Sequence, residues 1–253
     1  IYYERFNDAS FRAKSEECLN QHPDGVVVVP AELEITRDFT TALHENNIPF
    51  IMLDSYMPEL KPLSFYGQDS FSSGYFAAKV LMMKAFDQQE IMLMKQIKNG
   101  HVTSTQQANR EVGFRNYMKK FFPQVKIIEV NLPLDCSKEE HSTILEDYFT
   151  HHPHTHHCIT FNSKAYLVGE FLLQTQRNDI QIMGYDMVAR NAESLRKGNI
   201  SFLIAQHAYM QGYSCIDALF RVIVLKKKIQ PVNYMPIELI MKENIDFYRR
   251  TQL

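Results

Sequence analysis

IQIMGYD, residues 180–186, is a run of apolar residues that stops at an aspartate. Four other stretches have the same form: GVVVVP (25–30), IPFIMLDS (48–55), HCITFNS (157–163) and SFLIAQ (201–206). Each has the length of one strand, and the apolar run lacks the alternation of a strand with a wet face. Each therefore reads as a strand covered on both sides, the condition of a parallel sheet. The runs end at Pro30, Asp54, Asn162, Asp186 and Gln206. In open parallel sheets ligands bind in the crevice beyond the carboxyl ends of the strands. Polar side chains delivered there by several strands address one place, so the pattern points to a binding site.

Between these runs lie segments with helical periodicity, at the spacing of βα units. IYYERF (1–6) is apolar enough for a strand and leads to Asp8, a good helix cap. The first helix carries Phe11, Ser15, Cys18 and Leu19 along one face until Pro23-Asp24-Gly25 breaks it, and the second turns Ile35, Phe39, Ala42 and Leu43 inward. Further helices are expected near 70–86, 104–122, 138–150, 164–175, 187–197 and 210–225, with Met82 and Met83 in the core. Strands are expected at 26–29, 50–53, 63–66, 90–97, 125–132, 158–161, 180–184 and 201–205, with a last extended stretch over 234–242. Two sheets of four to six strands are more plausible than one of eleven. The expected fold is thus α/β with two doubly wound parallel-sheet lobes. One lobe takes 1–87 and 207–232, the other 88–206 and 233–253, joined by three crossings near Asp87, Gln206 and Asn233.

The 253 residues carry a net charge of −2, and Lys226, Lys227 and Lys228 form the only compact basic run. Gripping nucleic acid takes concentrated positive charge, which this segment lacks. No apolar run approaches the roughly 20 residues of a membrane helix, so no membrane partner is expected. The chain opens without Met and without a basic and apolar leader, so no signal peptide is visible, which agrees with an expected cytoplasmic location; Ile1 begins inside a strand-like run, which suggests a piece of a longer protein. Cys18, Cys136, Cys158 and Cys215 are widely spaced and read as free thiols rather than a disulfide frame. His151, His152, His154, His156 and His157 straddle Pro153 and read as a polar loop, not a metal site. No GxSxG, GxGxxG, Walker or HExxH sequence is present. Neither catalysis nor a cofactor is expected.

The residues in PDGVVVVP, IPFIMLDS, QDSFSSGYFAAKVL, REVGFRNYM, ITFNSKAYLVGE, IQIMGYD and FLIAQHAYMQGY, followed by PIELIMKENI, together resemble the effector-binding module of LacI/GalR-type transcriptional regulators. That module has the fold of type I periplasmic sugar-binding proteins. The resemblance covers nearly the whole chain and lies in the order and spacing of the pieces. Two departures stand out. The family's first strand and helix would precede IYYERF, and no helix-turn-helix segment is present.

The resemblance implies ligand contacts at Asp69, five residues before Gly74, and at Arg110, three before Gly113. It also implies contacts at Asn162, Asp186 and Gln206. The chemistry agrees: arginine offers a rigid fork of donors, aspartate two acceptors, and the amides both kinds, which suits a vicinal diol. Two acids beside one arginine favour a neutral sugar or polyol over a phosphate. Tyr56, Phe161 and Tyr185 can supply an apolar face for a sugar ring, although for Phe161, as for Phe65, a place in the core is the favoured reading. Other readings remain open. Asp186 can cap the following helix, Asn162 can start one, Arg110 can be a solvated helix residue, and Gln206 can serve a hinge. Asp54 suits a turn better than a ligand contact.

The function implied is a ligand-sensing domain of a LacI-type regulator that binds its effector in the interlobe cleft. It would work as a homodimer, engaging operator DNA through a helix-turn-helix upstream. The alternative on the same fold is an extracytoplasmic sugar receptor of a transporter or membrane sensor.

Overall fold

The structure is a computed structural model. It describes residues 1–4, 7–84, 89–98, 100–102 and 104–250. In chain order its elements are α1 (Asp8–Asn20), β1 (Val26–Val28), α2 (Leu33–Glu45), β2 (Phe50–Leu53), β3 (Ser64–Gly67), α3 (Ser70–Leu81), β4 (Glu90–Lys98) and β5 (His101–Val102). There follow α4 (Thr105–Phe121), β6 (Lys126–Pro133), α5 (Lys138–His151), β7 (His157–Thr160), α6 (Ala165–Gln174), β8 (Gln181–Tyr185) and α7 (Ala189–Lys197). The last are β9 (Phe202–Ala205), α8 (Ala208–Ile223), β10 (Val232–Tyr234), β11 (Glu238–Ile240) and α9 (Ile245–Arg250). The chain divides into two compact units: Ile1–Gln68 with His207–Pro236, and Asp69–Gln206 with Ile237–Leu253.

In the smaller unit, among the described residues, four parallel strands run in the order β1-β2-β3-β10. The period-2 geometry of β2 decides which helix each residue meets. Phe50 and Met52 join Phe11, Ile35, Phe39 and Leu43 of α1 and α2. Ile51 turns the other way, to Cys215, Ala218 and Leu219 of α8. The strand expected over IYYERF is not formed: residues 1–4 have no regular structure, and 5–6 lie outside the described residues. Apolar character makes a strand only where a neighbour supplies the ladder. The cap of α1 is Asn7 rather than Asp8, with its side-chain oxygen accepting from the Ser10 amide at 3.0 Å.

In the larger unit, among the described residues, seven strands form one sheet. The order is β11-β9-β8-β7-β4-β5, with β6 on the free side of β4. β4, β6, β7, β8 and β9 are parallel, while β5 and β11 pair antiparallel with β4 and β9. The sheet is larger than expected because the stretch over 234–242 breaks into two strands, one in each unit, and because β5 folds back on the long β4. On one face lie Val168, Leu172, Leu195 and Leu145; on the other, Ala77, Leu81, Phe114 and Met118. Met82 is in this second cluster, whereas Met83, expected there too, is 67% exposed.

The division between the units departs from the expected one. It falls between Gln68 and Asp69 rather than at Asp87, so α3 belongs to the larger unit. The reason is the contact of α3 with α4. A Cβ on Gly74 would stand 1.8 Å from the carbonyl oxygen of Arg110, and one on Gly113 would stand 2.0 Å from that of Phe71. Two helices whose backbones touch at reciprocal glycines form one body. On the return, the division follows Pro236, which leaves 233–236 with the smaller unit.

Cys158 and Cys215 are buried and free, whereas Cys18 and Cys136 are partly exposed. Burial pushes the Cys215 thiol up to about 12 and moves the Cys158 thiol upward as well. Thiolate is the nucleophile; desolvation raises Cys18 and Cys136 as well, but both are accessible, so iodoacetamide at pH 8 should label them in the native protein. Cys158 and Cys215 should react only after denaturant is added, read by mass spectrometry. The raised thiol of Cys215 also fixes a sign. Its contribution to stability is complete below the unfolded-state value near ~8.5 and falls as pH rises towards about 12.

The histidines at and beyond the end of α5 take separate partners. His151 bonds the Asp147 carbonyl at 2.9 Å, and His156 lies 3.0 Å from the Asp179 carboxylate. His152 stacks on Tyr148 and reaches Glu90 at 3.2 Å. His157 is buried, and burial lowers its pKa. Among the described residues, no three His, Cys, Asp or Glu side chains are grouped to hold a metal ion.

Candidate functional site

The parallel pairing of β7, β8 and β9 brings their carboxyl ends side by side. Phe161 and Asn162 follow β7, Asp186 follows β8 and Gln206 follows β9. Asp186 has φ 70°, the left-handed region that aspartate tolerates better than most residues, and its amide bonds the Ile204 carbonyl at 3.0 Å. Asp54 repeats the device at the end of β2, with φ 72° and an amide bond to Tyr66. Its turn-forming role is the one expected.

One hydrogen-bonded chain crosses the edge of the larger unit. Arg110, on α4, donates from Nη1 to the Phe161 carbonyl at 2.8 Å and from Nη2 to Gln206 Oε1 at 2.6 Å. Gln206 in turn donates from Nε2 to Asp186 Oδ1. One turn before Arg110, Gln107 accepts from Asn162 Nδ2 at 3.2 Å. Asn162 Oδ1 accepts from the Lys164 amide at 2.8 Å, so the helix-start and site readings of Asn162 hold together. Asp186 is not the cap of α7; that position is Val188.

Burial sorts these residues. Arg110 is 2% exposed and Asn162 7%, whereas Asp69, Asp186 and Gln206 are half-buried. Arg110 is therefore no solvated helix residue. Its guanidinium lies 4.1 Å from the centroid of the Tyr185 ring, and its Nε has no hydrogen-bond partner among the described residues. No carboxylate bonds it directly in this network: the Gln206 amide stands between Arg110 and Asp186, passing polarisation from cation to anion. Such charge-assisted bonds are about twice as strong as neutral ones.

Tyr185 does not present the apolar face expected of it, and Phe161 takes the core place favoured for it rather than a place at the ligand. Tyr185 is fully buried and Phe161 is 3% exposed, both in the core on the α3–α4 side of the sheet. The Tyr185 ring is covered by Arg110, and its hydroxyl accepts from Ser73 Oγ at 3.0 Å. Burial pushes the phenol up to about 12, against the pull of Arg110 and Ser73, so it stays protonated. Apolar residues one step inside a strand end belong to the core, and only the next residue reaches the edge. Tyr56 is in the smaller unit, 37% exposed and stacked on buried Phe65 at 4.7 Å.

Asp69 caps α3, accepting from the Ser72 amide at 3.0 Å and the Ser72 hydroxyl at 2.7 Å. Ser73, next along, ties α3 to Tyr185 and so to the same end of the sheet. Three contributors were not read from the sequence in this role: Gln107, Ser73 and Asn191. Asn191 lies inside α7 and is fully buried, yet bonds the backbone on both sides of the β8 turn. A polar residue at a helical position carries no mark of what it meets, and only helical spacing from Arg110 could have suggested Gln107.

A family profile described as periplasmic binding protein domain matches residues 1–228. Among solved structures, a candidate LacI transcriptional regulator from Bacteroides fragilis is 43% identical, with a TM-score of 0.94 over 98% of this chain and 86% of that one. A solute-binding protein of an ABC transporter from Burkholderia graminis, solved with D-arabinose, is 15% identical, with a TM-score of 0.85 over 97% and 84% of the two chains. A periplasmic solute-binding protein from Actinobacillus succinogenes, solved with D-allose, is 19% identical, with a TM-score of 0.81 over 96% and 85%. At these lower identities the likeness is one of fold. Among curated proteins none matches significantly.

Proposed function

We propose, from the premise that this chain belongs to the periplasmic binding protein domain family, that it is the effector-sensing domain of a LacI-type transcriptional regulator. The effector is a small neutral sugar or polyol held at the carboxyl edge of the larger unit's sheet. The observation that carries this reading is the bonded chain Arg110–Gln206–Asp186 across the ends of adjacent strands. Asp186 and Gln206 are half-buried and offer acceptors and an amide to hydroxyl groups, while buried Arg110 fixes Gln206 from behind. Two aspartates, Asp69 and Asp186, against one buried arginine disfavour an anionic ligand. The family is one of binding proteins, and the proposed role is not catalytic.

The 43% identity over nearly the whole chain supports a regulator, hence a cytoplasmic homodimer that meets DNA through another part of the protein. The same fold in sugar-bound transport receptors favours a second reading, an extracytoplasmic sugar receptor. Finding a helix-turn-helix in the full-length gene product, with effector-dependent DNA binding, separates the first from the second. Effector action then requires unequal contacts with two arrangements of the protein, since equal affinity shifts nothing.

Calorimetry with a panel of neutral aldoses and polyols, including D-arabinose and D-allose, tests the binding reading. One sugar should bind wild type, and Asp186→Asn should weaken it by about tenfold or more, the value of one charge-assisted hydrogen bond. Binding of sugar phosphates in preference to every neutral sugar would overturn it.

A further inference from the structure

Asn191 is the polar residue whose placement the binding reading leaves unexplained. It is fully buried in α7, on the face turned to the sheet. Its side-chain Nδ2 lies 2.8 Å from the Tyr185 carbonyl, 3.0 Å from that of Asp186 and 3.2 Å from that of Ser163. Its Oδ1 accepts from the Tyr166 amide at 2.9 Å. One amide therefore joins two loops: the one after β7, which carries Asn162, and the one after β8, which carries Asp186. A buried amide left without partners is costly, and a helix interior gives asparagine no advantage of its own.

We propose that Asn191 is a positioning residue of the ligand site. It clamps the turns after β7 and β8 together and so sets the relative placement of Asn162 and Asp186. The inference rests on the reading that these two residues belong to a sugar site. The left-handed backbone of Asp186 gives the clamp its purpose. At φ 70° a residue with a Cβ is held against its own preference, and the two carbonyls that flank the turn are the ones Asn191 grips. Without that grip the turn can relax, and the Asp186 carboxylate leaves the position in which Gln206 meets it. Asn162 loses its reference through Ser163 and Tyr166 in the same step.

Asn191→Asp tests this with little change of volume. The carboxylate keeps an acceptor for the Tyr166 amide but has no donor for the three carbonyl oxygens. Leu195→Ala, one turn on along α7 and also fully buried, is the control. It lowers stability by opening a cavity, but its side chain has no hydrogen bond to give either turn. Two measurements are made on both variants and wild type. In hydrogen exchange of the free protein, Asn191→Asp should speed exchange over 163–166 and 185–191 while β7 and β8 stay protected. Leu195→Ala should leave the two turns as in wild type. In calorimetry with the sugar that wild type binds best, Asn191→Asp should weaken binding by about tenfold or more, beyond any effect of Leu195→Ala.

Equal affinity losses for the two variants would make Asn191 a core residue only, and unchanged exchange at the two turns would overturn the clamp outright. If wild type binds no sugar of the panel, the binding reading fails. The exchange measurement still decides whether Asn191 holds the turns.

Discussion

Gly74→Ala should lower the melting temperature of the protein by roughly 6–12 °C, the shift expected for ~3 kcal/mol in a unit of this size. The added Cβ would sit 1.8 Å from the Arg110 carbonyl oxygen and 2.7 Å from its Cα, both backbone atoms that no rotamer change can move. α3 and α4 must separate by an ångström or more, along a contact that also aligns Ser73 with Tyr185 and Arg110 with Gln206. Gly113→Ala should act alike, since its Cβ would meet the Phe71 carbonyl at 2.0 Å. The double variant should fall well short of the sum, because both substitutions open one contact. Gly212→Ala is the contrast. Gly212 lies within α8, a Cβ there meets nothing within 4 Å, and the loss of backbone freedom in the unfolded chain should stabilise by about 0.5–1 kcal/mol. Calorimetric melts compare the three; a Gly74→Ala protein melting with wild type would refute the helix contact.

Arg110→Ala should cost about 3–5 kcal/mol in urea unfolding and abolish measurable sugar binding. The stability loss has two parts. The Phe161 carbonyl and Gln206 Oε1 lose their donor, and the guanidinium leaves a void above the Tyr185 ring. Binding fails for a different reason: Gln206, released at one end, no longer presents its amide to Asp186 in one orientation. Arg110→Met separates the two effects. It fills much of the void, so the cavity part should largely return, while sugar affinity should stay low because no donor reaches Gln206. Undiminished affinity in Arg110→Met would remove Arg110 from the site and leave it a structural residue alone.

The alternation of strands and helices was legible in the sequence because it depends on short-range regularities: apolar runs of strand length and helical spacing between them. The strand ends were legible for the same reason. A polar residue directly after an apolar run must lie at the edge, which located Asn162, Asp186 and Gln206. Tyr185, inside one of those ends, lies deeper than its expected place at the site, because the last position of a run and the first beyond it differ by one residue and by the whole depth of the core. Tyr185 is fully buried; Asp186, next to it, is half-exposed.

The sequence by itself determined the α/β class, the alternation of most strands and helices and the residues at the sheet edge, since each depends on neighbours a few positions apart. Tertiary structure alone decided that α3 belongs to the larger unit, that IYYERF makes no strand in residues 1–4, and that Asn191 reaches two loops. The first depends on the approach of Gly74 to Arg110, and the last on that of Asn191 to Ser163 and Tyr185. Whether such pairs meet is fixed by the packing of whole elements, and no local pattern along the chain encodes that distance.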